Sequence, residues 1–418
     1  MSEVTRERPH IVVLSSLFPS ARQPGAGLFI RERMFRVGRE LPVAVVSPVP
    51  WFPLQGLVRR WRPGFRAGAP AHERQQGVDV WFPRFFSVPG LLKGFDGLFM
   101  ALGAWPRLRR LKREGRLDVI DAHFAYPDGY AAALLGHWLN VPVTITLRGT
   151  EARHAKDPRL AGKVRWALQR ACRVFSVSES LRQVVLALGI APDHVRVVGN
   201  GVDLDKFSPL PRSEARQLMS LTPGAPVLIT VGALVERKGF HHVITLLPAL
   251  RERFPGLTYL IVGGSSPEGD ISVQLKRQVQ TLGLDEAVRF LGAMPSDRLR
   301  VPLSAANVFV LATRNEGWAN VLLESMACGV PVVTTDVGGN AEVVSSTDLG
   351  SIVPFGDAAA LQQAIEHALR TAWDAEALRA YARRNTWDLR VAGLVGEFRT
   401  LHAGIDVAGA KPRGTGHA

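Results

Sequence analysis

Short apolar runs alternate with amphipathic stretches along most of the chain. Many of the runs are continuously apolar, as in Val308–Ala312, and do not alternate between apolar and polar positions. This pattern indicates strands that are buried on both faces, as in parallel sheets covered by helices. The predicted strands are His10–Ser16, Val43–Ser47, Val78–Phe82, Asp118–His123, Val143–Leu147, Arg173–Ser178, Val195–Val198, Val227–Gly232, Tyr259–Gly263, Val288–Gly292, Val308–Ala312, Val332–Thr335 and Ser351–Val353.

Stretches with helical periodicity separate these strands. The predicted helices include Leu28–Arg39, Asp128–Leu139, Ser180–Leu188, Phe240–Phe254, Ser272–Leu282, Asn320–Cys328 and Ala358–Arg370. Strand–helix alternation on both sides of a break near Asp203–Arg212 predicts an α/β fold with two doubly wound, Rossmann-like domains. Ligands bind at the carboxyl ends of the strands in such sheets, so two facing domains would share one cleft.

The composition is that of a globular protein. With 418 residues, 46% of them hydrophobic, two or three domains with complete cores are expected. The two cysteines, Cys172 and Cys328, form neither a disulfide framework nor a metal motif, which predicts a reducing, cytoplasmic location. The first apolar stretch, Ile11–Leu14, is too short for a signal peptide. The longest apolar candidate, Phe85–Trp105, is interrupted by a proline and two charges, so we expect no membrane-spanning helix.

The net charge of +14 is unevenly distributed along the chain. Residues 1–205 carry a net charge of +13, and the remaining residues carry +1. This asymmetry indicates that the first half faces an anionic partner. Nucleic acid, anionic lipid and phosphorylated substrates all satisfy that condition.

Two glutamates lie eight positions apart where a predicted strand leads into a predicted helix. Glu316 precedes the helix and Glu324 lies within it. The backbone N–H groups of Gly317 to Leu322 would form a helix N-terminus, which suits a diphosphate or sugar hydroxyls. Carboxylates also accept paired hydrogen bonds from vicinal hydroxyls. The spacing alone equally allows a helix-capping Glu316 and a solvated Glu324.

The surrounding residues resemble the retaining glycosyltransferases of family 4, which have the GT-B fold and a Glu–seven residues–Glu hallmark. The sequence Glu-Ser-Met-Ala-Cys-Gly-Val-Pro-Val-Val after the second glutamate matches that family closely. Further segments agree in order along roughly residues 10–403, most strongly from residue 200 onward. They are Gly201–Pro209, Val231–Gly239, Leu260–Gly264, Phe290–Gly292 and the stretch that begins at Trp387.

The resemblance implies an acceptor-side domain over residues 1–205 and a donor-binding domain over 206–385. A final helix over 386–403 would cross back to pack on the first domain. Residues 404–418, rich in Gly, Ala and basic residues, are expected to be a disordered tail.

By the same resemblance, Glu324 would hold the donor ribose, Glu316 would lie near the donor sugar and Lys238 would neutralise the diphosphate. The family often has an arginine where this chain has Ala233, and Arg237 is the candidate replacement. The implied donor-binding residues are Gly27, Gly232, Arg237, Lys238, Gly263, Leu291, Glu316, Gly317, Asn320, Val321, Leu322 and Glu324.

In the first domain, the resemblance places His123 near the transferred sugar, at the carboxyl end of a predicted strand. Gly27, in a glycine-containing loop at a helix entry, would face the donor, although a plain flexible loop fits the sequence equally well. Arg148 and Glu151 follow the next strand and would either line the acceptor pocket or pair with each other.

No cluster has the spacing of metal ligands. Asp203 and Asp205 could be mistaken for an Asp-x-Asp metal motif, but their place in a linker favours an Asx turn. We therefore expect neither a metal nor another cofactor. The co-substrate would be a UDP- or GDP-linked sugar.

The predicted activity is retaining transfer of a hexose to a hydroxyl acceptor that is lipid-linked or a polysaccharide intermediate. His123, Glu316 and Lys238 are the predicted catalytic residues. Same-face attack, in which the leaving phosphate takes the acceptor's proton, is favoured over Glu316 as a covalent nucleophile. Two alternatives remain: a nucleotide-sugar epimerase on a similar fold, and a nucleic-acid-binding protein, which the absence of a binding module argues against.

Residues 51–116 combine 13 Lys and Arg with 4 Asp and Glu and include four of the nine tryptophans. An apolar series at helical spacing lies beside basic residues. It consists of Leu98, Leu102, Trp105, Leu108 and Leu111. Interfacial helices have this composition, so one prediction is peripheral docking on an anionic membrane, at the inner face of the cell membrane. The alternative is an amphipathic helix that covers its own sheet.

Overall fold

The structure is a computed structural model, and it describes residues 8–53, 55–61, 65, 68–266 and 268–409. The chain divides into two compact units. The first contains the chain up to Gly199 together with the residues from Arg390 onward, and the second is Asn200–Leu389. The sequence places the boundary slightly later, after residue 205.

The first unit is built on an eight-stranded sheet in the order β10-β9-β8-β7-β1-β2-β5-β4. All neighbouring strands are parallel except β4 and β5. Strands β3 and β6 form a separate parallel pair. The strands are β1 (Ile11–Leu14), β2 (Val43–Val46), β3 (Val49–Trp51), β4 (His72–Gln75), β5 (Val78–Trp81), β6 (Arg84–Phe86), β7 (Val119–His123), β8 (Val143–Leu147), β9 (Arg173–Ser176) and β10 (Val195–Val197).

Helices cover both faces of this sheet. They are α1 (Leu28–Glu40), α2 (Gln55–Trp61), α3 (Asp96–Arg113), α4 (Tyr130–Leu139), α5 (Glu151–His154), α6 (Ala161–Arg170), α7 (Glu179–Leu186) and, from Arg390 onward, α16 (Trp387–Gly409). Strand β1 shows why its sequence is apolar throughout. Val12 and Leu14 pack with α3, α4 and α6, whereas Ile11 and Val13 pack with α1 and α16 on the opposite face. All four side chains are fully buried.

The second unit contains a six-stranded, wholly parallel sheet in the order β13-β12-β11-β14-β15-β16. Its strands are β11 (Val227–Val231), β12 (Thr258–Val262), β13 (Val288–Gly292), β14 (Val308–Leu311), β15 (Val332–Thr335) and β16 (Gly350–Val353). Its helices are α8 (Arg212–Leu218), α9 (Phe240–Arg253), α10 (Ser272–Thr281), α11 (Arg300–Ala305), α12 (Asn320–Ala327), α13 (Asn340–Val343), α14 (Ala358–Arg370) and α15 (Ala375–Arg383). Together the two units confirm the predicted fold of two parallel-sheet, Rossmann-like domains.

The end of the chain differs from the prediction. Helix α16 extends to Gly409, so residues 404–409, predicted to belong to a disordered tail, are helical. The stretch from 390 has an apolar face that packs on the first unit's sheet through Val391, Leu394 and Phe398, which explains why helix continues there. The rest of the predicted tail, residues 410–418, lies outside the described residues.

Candidate functional site

The strand order of the second unit fixes where its ligand site should lie. The chain runs outward from β11 through β12 to β13, then returns to place β14 on the other side of β11. A doubly wound sheet binds ligands at such a switch point, at the carboxyl ends of the two diverging strands. Two hydrogen bonds join the loops that follow β11 and β14. The Arg314 N–H and the Thr313 hydroxyl both donate to the Arg237 carbonyl, at 2.8 and 2.9 Å.

Three donors from these loops meet one carboxylate oxygen. Lys238 Nζ donates to Glu316 Oε1 at 2.6 Å, Thr313 Oγ1 lies 3.2 Å from the same oxygen, and Arg237 Nη1 lies 3.3 Å from it. The side chains of Lys238 and Glu316 are only 13% and 10% exposed. A charged group of this kind, little screened by water, interacts strongly with an anion that enters it.

Arg237 also makes a two-pronged contact with a residue that sequence analysis did not identify. Its Nε and Nη2 donate to the two carboxylate oxygens of Glu268, at 2.6 and 3.0 Å. These hydrogen bonds, assisted by Glu316, raise the pKa of Arg237 above its ordinary value. Arg237 and Lys238 therefore contact the same carboxylate, that of Glu316. Glu268 lies in the β12 loop, 31 positions from Arg237, so no local pattern indicates the pairing.

Glycines hold this group in place by close backbone approach. A Cβ on Gly338, whose φ is +56°, would lie 1.7 Å from the Glu316 carbonyl oxygen. A Cβ on Gly263 would lie 1.8 Å from the Gly232 carbonyl oxygen. Gly263, a predicted donor-site glycine, thus allows the end of β12 to approach the backbone of Gly232, another predicted donor-site glycine, at the end of β11. Leu291 lies half-buried near the end of the neighbouring strand β13.

Helix α12 begins immediately after this group. Gly317 is buried and Val321 is half-buried, whereas Leu322 is fully buried in the core. The Leu322 N–H donates to the Ala319 carbonyl at 3.1 Å. Asn320 Oδ1 accepts from Asn200 Nδ2 at 3.0 Å, and Glu324, in the second turn, is half-buried.

In the first unit, His123 ends β7 and is fully buried. Arg148 Nη2 and Nε lie 2.9 and 3.2 Å from His123 Nδ1, which must accept because arginine only donates. Nε2 therefore carries the proton of the neutral ring. It lies 3.2 Å from Asp121 Oδ2, in a geometry that makes no hydrogen bond. Burial, followed by the charge of Arg148, lowers the pKa of His123 to about 4, so the ring is neutral at pH 7.

The carboxylate of Glu151 organises the loops after β7 and β8. Its oxygens accept from the N–H groups of Ala125, Arg148 and Gly149, at 2.9, 3.1 and 2.8 Å. Arg148 and Glu151 are thus joined through the Arg148 backbone, while the Arg148 side chain turns to His123. Both side chains are buried.

Two further features lie at this carboxyl edge. Asp128 is buried and accepts from the Ser16 N–H and, at 3.0 Å, from the Ser16 hydroxyl. Burial raises the pKa of Asp128 to about 7 against these hydrogen bonds. Gly27 has φ +65°, and a Cβ there would lie 2.3 Å from the Leu17 carbonyl oxygen, so tight packing requires glycine at this position. Asp128 pairs with Ser16 across 112 positions, which sequence analysis could not detect.

The predicted Asx turn is confirmed. Asp203 Oδ1 accepts from the backbone N–H groups of Asp205 and Lys206, at 3.1 and 3.2 Å. Among the described residues, no three His, Cys, Asp or Glu side chains converge to hold a metal ion.

The apolar series predicted for membrane docking is used in part by the fold. Leu108 and Leu111 are fully buried between α3 and the first unit's sheet, and Trp105 stacks edge-on against Trp138 at 5.4 Å. Helix α3 continues through Pro106 without a break. Leu102 of the same series is 55% exposed, so covering the sheet removes only part of the series from water. Along the described part of the chain, no helix combines the length and apolar character needed to cross a membrane.

Comparison with known proteins agrees with the fold. The model for "Glycosyl transferases group 1" matches residues 212–385, and the model for "Glycosyltransferase Family 4" matches residues 54–206. A D-inositol 3-phosphate glycosyltransferase of Acidothermus cellulolyticus is 34% identical over 70% of this chain and 69% of its own length. The putative teichuronic acid biosynthesis glycosyltransferase TuaC of Bacillus subtilis is 28% identical over 79% of this chain and 81% of its own length.

Among solved structures, Anabaena HepE in complex with UDP and glucose aligns with 94% of this chain and 100% of its own. The TM-score is 0.71 and the identity 19%. Two parallel-sheet, Rossmann-like units with this likeness define the GT-B fold. More specifically, the chain belongs to glycosyltransferase family 4.

Proposed function

We propose that this glycosyltransferase is a retaining, metal-independent enzyme. It takes a hexose from a UDP- or GDP-linked donor and passes it to a hydroxyl of a saccharide or lipid-linked acceptor. The observation that carries the proposal is the convergence of Lys238 and Arg237 on Glu316 at the switch point of the second unit's sheet. The HepE structure, which has the same fold, supports the proposal too, since it contains UDP and glucose.

The chemistry follows from the charges. Cleavage of the bond between an anomeric carbon and a diphosphate leaves negative charge on the diphosphate and positive charge on the sugar. Lys238 and Arg237 are fixed cations that would stabilise the leaving diphosphate without rearranging, and the N-terminus of α12 would add its dipole. No metal ion is then needed for that charge.

Glu316 is better suited to an electrostatic role than to nucleophilic attack. One of its oxygens is the meeting point of Lys238, Arg237 and Thr313, and these donors lower the nucleophilicity of the carboxylate. We therefore propose same-face attack, with the leaving phosphate as the proton acceptor. In the first unit, His123, which is neutral, and Arg148, which orients it, are the proposed functional residues.

Binding and product analysis test this function. Thermal-shift screening should find stabilisation by one family of nucleotide sugars. Glu324→Ala should weaken binding of that donor by roughly 1–3 kcal/mol if its carboxylate holds the ribose hydroxyls. NMR of the product should show that the anomeric configuration of the donor is kept. An inverted product, or no nucleotide-sugar binding by the wild type, would refute the proposal.

We also propose that the first unit contacts an anionic membrane, through a different surface from the one the sequence indicated. Leu91, Leu92 and Phe95 are 63%, 54% and 51% exposed, although they are large and apolar. The ammonium group of Lys163 lies 5.3 Å from the Phe95 ring centre. Exposed apolar side chains beside cations are what peripheral membrane proteins present to anionic lipid.

A further inference from the structure

A pocket lined by three arginines lies in the first unit. Arg22 comes from the loop after β1, Arg59 from α2, and Arg84 from β6, just after the carboxyl end of β5. The pocket has a volume of about 340 Å³, within the range of roughly 300–1,000 Å³ typical of small-molecule sites. We call it the arginine pocket. It belongs to the carboxyl edge of the sheet, where α/β folds bind ligands.

The cations of this pocket converge. A Cβ placed on Gly68 would lie 3.2 Å from Arg22 Nη1 and 3.7 Å from Arg59 Nη2, so both guanidinium groups approach one point. None of the described residues that line the pocket is acidic. The forked geometry of arginine matches both phosphate and carboxylate, so this pocket suits an oxyanion.

A buried amide adds an independent sign of a ligand. Gln55 lines the same pocket and is 5% exposed, yet its Oε1 has no hydrogen-bond partner among the described residues. A buried polar atom without a partner costs free energy, so such groups commonly have a function. Whichever way the amide is oriented, it offers a hydrogen bond to a hydroxyl group in the pocket.

The remaining wall suits a sugar ring. Trp51 and Phe52 line the pocket, and Trp51 is 38% exposed. An aromatic face beside hydrogen-bonding groups is the usual surface on which the C–H faces of a pyranose stack, because one side of the sugar is apolar and its edges are polar. The pocket thus offers separate contacts for an anionic group, a hydroxyl and a ring.

We propose that the arginine pocket binds the acceptor through an oxyanion, either a phosphate ester or the carboxylate of a uronic acid. Arg22, Arg59 and Arg84 would hold the anion, and Gln55 would hold a hydroxyl. The role of this ligand as acceptor rests on the proposed function. Its binding does not, because the pocket is built entirely from the first unit.

Binding of matched sugars to the full-length protein tests this proposal. Glucose, glucose 6-phosphate and glucuronate are titrated calorimetrically in saturating UDP and GDP, which keep the sugar phosphate from the donor site. We expect one of the charged sugars to bind at least about tenfold more tightly than glucose. Preference for glucose 6-phosphate assigns a phosphate acceptor, and preference for glucuronate assigns a carboxylate. Equal binding of all three sugars would overturn the proposal.

Substitutions locate the effect. R22Q and R84Q should each lower the affinity for the preferred charged sugar by about tenfold and leave the affinity for glucose unchanged. Arg60→Gln is the matched control, because Arg60 is exposed on the same helix as Arg59 but does not line the pocket. A loss with R60Q as large as with R22Q would mean that only net charge matters, and the proposal would be wrong.

Nucleotide binding, measured on the same samples, separates this proposal from the proposed function. An unchanged thermal unfolding curve shows that each variant is folded. If the wild type fails to bind nucleotides but still prefers a charged sugar, the proposed function fails and the pocket remains an anion site. Normal nucleotide binding without a preference for a charged sugar overturns the arginine pocket alone.

Discussion

Lys238 Nζ and Glu316 Oε1 lie 2.6 Å apart, although 78 positions separate the two residues in the chain. Lys238 follows the first strand of the second unit's sheet, and Glu316 follows the strand added on its other side. The pair therefore marks the point at which the sheet changes direction. It also gives the proposed donor site a cation and an anion whose separate roles can be measured.

Removing the cation should weaken diphosphate binding specifically. Lys238→Ala should lower affinity for UDP or GDP by about tenfold to hundredfold, because a hydrogen bond to a charged group contributes roughly 1.5–3 kcal/mol. Affinity for uridine or guanosine, which lack the diphosphate, should hardly change. Arg314→Ala, an exposed cation in the adjoining loop, is the control. Equal losses for nucleoside and nucleotide would remove Lys238 from the diphosphate site.

Gly338 should tolerate no side chain. Its φ is +56° and a Cβ would lie 1.7 Å from the Glu316 carbonyl oxygen, so Gly338→Ala must displace the loop that carries Glu316. Gly224→Ala is the matched control, since φ is +76° and no atom lies within 4 Å of its Cβ position. We expect the control to cost about 1–2 kcal/mol of unfolding free energy, from backbone strain alone. Gly338→Ala should cost a further 1–3 kcal/mol or so and abolish donor binding, as measured by denaturant unfolding and calorimetry. Equal costs for both variants would show that the contact with Glu316 is unimportant.

Asp128 should make stability depend on pH. Burial raises its pKa in the folded protein to about 7, so the folded state holds a proton that the unfolded chain releases near pH 4. Its stabilising contribution is therefore complete below about pH 4 and is lost as the pH rises to about 7. Asp128→Asn keeps an acceptor for the Ser16 N–H but cannot ionise. Relative to the wild type, its unfolding free energy should rise between pH 5 and pH 8. A difference that stays constant across this range would contradict the raised pKa.

Transfer should continue in excess EDTA, because Lys238 and Arg237 supply the positive charge that a metal ion would otherwise provide. The measurement is the initial rate of product formation with and without the chelator. Activity that disappears with EDTA and returns with Mg²⁺ or Mn²⁺ would require a metal site and would disprove metal independence.

Membrane contact should depend on exposed apolar residues of the first unit. Replacing Leu91, Leu92 and Phe95 by serine should lower co-sedimentation with anionic vesicles severalfold, since these side chains would no longer enter the lipid. Serine at Leu218 and Val273, which are equally exposed in the second unit, should have no effect. Equal recovery with neutral and anionic vesicles, or no pelleting of the wild type at low salt, would rule out docking. An unchanged thermal unfolding curve reports that the variants remain folded.

Local sequence determined most of the secondary structure. Strands such as Val308–Leu311 can be predicted from sequence, because both faces of a central parallel strand are buried and every position is therefore apolar. The missed strand His72–Gln75 lies at the edge of its sheet, where polar side chains remain in water and no apolar pattern arises. The spacing of Glu316 and Glu324, together with the resemblance to family 4, likewise predicted that both residues lie at one helix.

The tertiary structure decided which side chains meet. Arg237 is next to Lys238 in the chain, and nothing local says that both would reach Glu316 or that Glu268 would hold Arg237 from another loop. The apolar series of α3 is compatible in sequence with a membrane or with a sheet, and only the packing shows that Leu108 and Leu111 belong to the core. The apolar periodicity of a helix or strand reflects which of its faces is buried, because each buried position separately favours an apolar residue. Partners across distant loops depend on the path of the whole backbone, which local sequence does not encode.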